Sequence, residues 1–111
     1  MLLLFNFKVF IKEKSWIAKL ASLKLRTDNC AIVFMNTIYL HQITKQEFLA
    51  SKNLLRHEIM HVKQWKREGA FVFLYKYIKY SFQLGYFNNP FEIEARKASL
   101  KSAILDGITI S

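Results

Sequence analysis

A chain of 111 residues fits one compact domain and leaves little room for a second. Hydrophobic residues make up 52%, ten of them Phe, against only three Gly and one Pro, which argues against bulk disorder and against an all-β design with many turns. The net charge of +9 suits nucleic acid, an anionic membrane face or acidic substrates, but the lysines are scattered, so no specific nucleic-acid binding is expected.

The chain opens with "MLLLFNFKVFIKEK", apolar but interrupted at Asn6 and Lys8. It has no basic leading region and no small-residue cleavage site, so it does not read as a signal peptide. Residues 2–11 suit a strand or a helix, and periodicity does not decide between them. From 15 to 25, "SWIAKLASLKL" spaces Trp16, Ile17, Leu20 and Leu23 as a short amphipathic helix. "RTDNC" reads as a turn. "AIVFMNTIYLH" then reads as two short strands, or as one strand bent at Asn36. Cys30 is the single cysteine, which excludes an internal disulfide and a Cys-rich zinc module. It is expected to be a small buried hydrophobe, and a reducing, cytoplasmic location follows as an expectation.

"TKQE" (Thr44 to Glu47) is a capping box, in which the Thr44 hydroxyl and the Glu47 carboxylate satisfy each other's backbone N–H groups. A long helix is predicted over 45–67, with Gly69 as a left-handed C-cap and Phe48, Leu55, Ile59 and Val62 as its core-facing stripe. A second helix over 70–84 is apolar almost all round and is expected to be deeply packed, with Gly85 as its stop. It carries Lys76 and Lys79, and no stretch reaches the roughly 18 uninterrupted apolar residues that a spanning helix needs. In "YFNNP", Asn89 suits an N-cap and Pro90 the first helical position of a third helix over 91–105, ending near Gly107. The expected fold is α+β: three or four helices packed with a short N-terminal strand region.

The chemistry lies in "LLRHEIMHVKQW", where His57, Glu58 and His61 form His-Glu-x-x-His. Residues four apart on a helix share a face, so the two imidazoles meet at a common point suited to a tetrahedral zinc ion. Glu58 then sits beside the ion, placed to take a proton from the water that zinc activates. An open catalytic site needs a third protein ligand. Glu92 and Glu94 are both available in the first turn of the third helix, where the helix dipole also favours a carboxylate. The 31 residues from His61 to Glu92 leave room for one helix that reverses the chain.

His-Glu-x-x-His followed by Val62 and Gln64, with Asn-Pro-x-Glu-x-x-Ala on a later helix, resembles the gluzincin metallopeptidases. It is similar in particular to the small bacterial zinc metallopeptidase domains of that clan. The resemblance spans roughly residues 31 to 98, with strong matches only in the two short motifs. In the related CAAX-type membrane proteases the third ligand is the Glu of Glu-x-x-Ala-Asp, a pattern that falls here on residues 92–96. The resemblance therefore implies a zincin-like domain with zinc on His57, His61 and Glu92, Glu94 as a bystander, and "NTIYLH" as an edge strand along the substrate cleft. It also implies a zinc metallopeptidase: Glu58 as general base and a zinc-activated water attacking the carbonyl of a peptide or protein substrate. The alternative is a non-catalytic binding or scaffold module stabilised by the same zinc. One position departs from the family. The Asp that orients the first histidine is Arg96 here, so another group must take that role or the site is weaker. For oxyanion stabilisation the candidates are Tyr86 first, then Tyr75, Tyr77 and His41; Trp65 is expected to pack.

Overall fold

The computed structural model describes residues 7–25 and 30–111, with side chains over 8–20 and 31–111. The expectations for residues 2–6, for most of "RTDNC" and for the side chains of Leu23 and Cys30 concern positions outside the described residues. The architecture is α+β, as expected. Its elements run β1 (Phe7–Lys12), α1 (Trp16–Leu25), β2 (Cys30–Phe34), β3 (Thr37–His41), α2 (Lys45–Ala50), α3 (Lys52–Glu68), α4 (Ala70–Leu84) and α5 (Pro90–Ala98). A short 3-10 turn (Ser102–Leu105) and β4 (Ile108–Ile110) follow.

The four strands form one sheet in the order β2-β3-β1-β4. β2 and β3 are an antiparallel hairpin in which Phe34 pairs with Thr37 across Met35 and Asn36. The break at Asn36 thus resolves into two strands. β1 pairs in parallel with β3 on one side (Ile11 opposite Ile38) and with β4 on the other (Lys8 opposite Thr109). This corrects the expectation for "NTIYLH": β3 lies inside the sheet, because β1 occupies its second side, and among the described strands β2 and β4 are the edges.

Alternation along β3 sends Ile38 and Leu40 to one face, where both are fully buried. They meet Val9 from β1, Phe48 from α2, and Leu55, Ile59 and Val62 from α3. The stripe read from the sequence is therefore the one that holds the helices on the sheet.

The helices depart from expectation in five places, the exposed outer face of α4 among them. The predicted helix over 45–67 is two helices: the capping box starts α2 as predicted, but Ser51 leaves helical geometry (φ −87°, ψ 88°) and α3 begins anew at Lys52. That bend lets Phe48 and Leu55 both reach the sheet. Gly69 has the expected positive φ of 86° but a ψ of 149°, so it is a sharp corner between α3 and α4, not a left-handed helical cap. The helix predicted over 91–105 stops at Ala98, and Ile108–Ile110 form β4, whose place is set by pairing with β1. In α1, Trp16 and Leu20 face solvent while Ala18 is the buried contact.

Phe48 is fully enclosed in the main cluster. Phe48→Ala is expected to lower unfolding free energy by about 3–5 kcal/mol, seen as an earlier urea midpoint with an unchanged slope. A loss below about 1 kcal/mol would mean that this cluster is not the principal core.

Candidate metal centre

α3 presents two faces. Leu55, Ile59 and Val62 pack on the sheet, while His57, His61 and Gln64 turn toward α5. Gly69 reverses the chain into α4, and the loop after Gly85 returns it to α5. Asn89 fixes that return. It is fully buried, its side-chain oxygen caps Phe91 N–H at 2.9 Å, and its Nδ2 donates to the Tyr77 carbonyl (3.1 Å) and the Ser81 hydroxyl (2.9 Å) of α4. The N-cap and the Pro at the helix start follow the sequence prediction, and together they set Glu92 in the first turn, facing α3.

His57 and His61 both direct Nε2 at one oxygen of Glu92, Oε1, at 3.2 and 3.1 Å. The other oxygen, Oε2, accepts a 2.5 Å hydrogen bond from the Tyr77 hydroxyl. Glu92 is only 3% exposed. Burial alone would raise its pKa, but hydrogen bonds from His57 and His61 prevail and hold it well below the usual carboxylate range. Burial opposes charge on His61, yet the hydrogen bond to Glu92 and the charges of Glu58 and Glu92 lift it to about 9. Burial and the Glu92 charge push the Tyr77 hydroxyl well up, so it remains a donor.

Two of the three donor separations among His57, His61 and Glu92 can be set against the geometry of a tetrahedral ion. Ligands about 2.0–2.1 Å from a tetrahedral ion lie about 3.3 Å from one another. The observed 3.1 and 3.2 Å separations from each histidine to Glu92 are close to those edges, and a donor set of two imidazoles and one carboxylate is one that zinc accepts. The ligand atoms of His57, His61 and Glu92 all lie within 4.8 Å of one another. A divalent cation there would meet the ionised Glu92 carboxylate and the two imidazole nitrogens at one point.

Glu58 is buried beside this cluster, and burial pushes its carboxyl up to about 7 against the pull of His61 and His57. Glu94 lies elsewhere: it forms a two-point ion pair with Arg67 at 2.9 and 3.0 Å and accepts from Gln64 Nε2. Of the two carboxylates left open by spacing alone, Glu92 stands with the histidines.

Two residues named in the sequence take supporting roles that the sequence did not assign them. Gln64, fully buried, accepts from His61 Nδ1 at 2.8 Å, and its amide donates to Phe91 O and Glu94. It fixes which nitrogen of His61 faces Glu92, the orienting task a carboxylate often performs. Its place in the motif, three residues beyond His61, marked the residue but not this role. Tyr77, among the oxyanion candidates, is engaged on Glu92. The Arg96 guanidinium stacks on the Phe87 ring, 4.1 Å from the centroid, and donates to the Phe87 carbonyl, which ties down the loop that carries Tyr86.

The cluster opens into a cavity of about 460 Å³ walled by β2, Ile17 of α1, Trp65 of α3, Phe73 and Leu74 of α4, and Tyr86. Glu58, His61 and Glu92 line it. Trp65 packs on Phe34 and Phe73, with ring centroids 5.1 and 4.7 Å away, so it both packs and forms wall. Tyr86 reaches the cavity, whereas Tyr75 lies on the outer side of α4 and His41 ends β3. Among known proteins, no family model, no curated protein and no solved structure matches the chain.

Zinc titration of the purified protein separates the two carboxylates: with the cluster as the binding site, Glu92→Ala should abolish zinc uptake and Glu94→Ala should keep it. The opposite pattern would move the third ligand to Glu94.

Proposed function

We propose that this chain is a zinc-dependent peptide hydrolase with His57, His61 and Glu92 as metal ligands and Glu58 as general base. The observation that carries the reading is the placement of Glu58: buried next to a two-His, one-Glu cluster and lining the same cavity. A site that only stabilised the fold would have no use for a fourth ionisable group facing a cleft.

Zinc bound there would supply Lewis-acid activation of water and of the substrate carbonyl. The protein's own groups account for the remaining work. Glu58 accepts the proton of the attacking water and passes it to the leaving amine, a role suited to a carboxyl whose pKa lies near neutrality. Gln64 and Tyr77 hold His61 and Glu92 in place, so that the ligands need little rearrangement. Tyr86, whose hydroxyl is kept protonated by burial and by the Glu92 charge, is a donor at the cavity wall. The edge strand β2 offers unpaired backbone groups to an extended peptide, and Val33, Phe34, Trp65 and Phe73 favour an apolar side chain beside the scissile bond.

Glu58→Gln preserves shape and removes the base. It should retain zinc while lowering hydrolysis of an unstructured protein substrate by about 10²–10⁴-fold. A variant as active as the parent would exclude Glu58 as the base. Zinc retained by a parent chain that cleaves nothing would favour a structural zinc module instead.

A further inference from the structure

The sequence led us to expect α4 to be deeply packed, and the structure contradicts this. Its inner face packs Phe73 and Tyr77 on Trp65 and Phe91. Its outer face carries Phe71 (92% exposed), Tyr75 (66%), Ile78 (55%) and Phe82 (93%), at intervals of four, three and four residues. That spacing makes one continuous stripe along the helix. A stripe of this kind on a water-facing helix marks a surface that something else covers.

Charge narrows what covers it. Residues 69–91 contain no Asp or Glu, and Lys79 is exposed on the turn between Tyr75 and Phe82. The whole chain carries +9. Pairing two copies stripe to stripe would bring these like charges together with no acidic residue on the face to offset them. No described helix is long and apolar enough to cross a membrane, so α4 is not a spanning segment. An aromatic-rich stripe with lysine at its side matches the interfacial zone of a bilayer, where rings sit at headgroup depth and anionic lipid attracts cations.

We propose that the outer face of α4 docks the protein on an anionic lipid surface, with Phe71, Tyr75, Ile78 and Phe82 entering the interface and Lys79 meeting lipid phosphates and carboxylates. Leu74 flanks this stripe and also lines the cavity, so docking leaves the cleft mouth beside the lipid. The inference rests on the exposed face alone and holds whether or not the metal reading does.

Co-sedimentation of the full chain with phosphatidylcholine vesicles, with and without phosphatidylserine, tests this. The protein should pellet with the phosphatidylserine vesicles and detach as salt rises. Phe71→Ser/Phe82→Ser, at two positions outside the core, should weaken binding about tenfold or more, whereas Phe71→Trp/Phe82→Trp should keep it. Lys79→Glu should reduce the preference for phosphatidylserine. Three results would overturn the proposal: no pelleting with either vesicle, a double-serine variant that pellets like the parent, or a parent dimer in equilibrium sedimentation that Phe82→Ser dissolves while vesicles bind neither form. The last would assign the face to a second copy.

Discussion

Burying an ionised carboxylate costs on the order of several kcal/mol unless hydrogen bonds and opposite charge replace its water. Glu92 meets that condition with three partners drawn from two helices: His57 and His61 of α3 on one oxygen and Tyr77 of α4 on the other. The requirement to satisfy one buried group therefore locks α3, α4 and α5 in a single arrangement. Gln64 extends the lock by joining His61 to the backbone of Phe91, one residue before Glu92. Each member fixes another, so the geometry of the centre and the packing of the helices are one problem with one solution.

The sheet supplies the opposite wall. α3 sits on it through Leu55, Ile59 and Val62, which leaves the histidine face turned away from the core and toward the cavity. β2, as an edge strand, brings Val33 and Phe34 to the same cavity, and Ile17 of α1 closes one side. The β2–β3 hairpin and α1 thus wall the cavity on the side that faces α3 and α4.

How much of this the sequence disclosed depends on whether the signal was local. The capping box at Thr44, the Asn89–Pro90 helix start and the four-residue histidine spacing are short-range patterns, and the structure shows the corresponding geometry. The break at Ser51 was hidden because no Gly or Pro marks it; only the need to place both Phe48 and Leu55 on the sheet demands it. β4 is three residues long and draws its stability from β1, roughly a hundred residues earlier in the chain, which no local window can register. The choice of edge strand failed for the same reason. The engagement of Tyr77 with Glu92 and of Arg96 with Phe87 is tertiary and left no local trace. Composition was misleading for α4, since an apolar helix reads alike whether its second face meets protein or lipid.

The proposed role of the cluster as a zinc centre is tested most directly by X-ray absorption at the zinc edge on metal-loaded protein. The account predicts a four-coordinate ion with two imidazole nitrogens and oxygen ligands at about 2.0–2.2 Å. A sulfur shell at about 2.3 Å, or an ion ringed by oxygen alone, would contradict it.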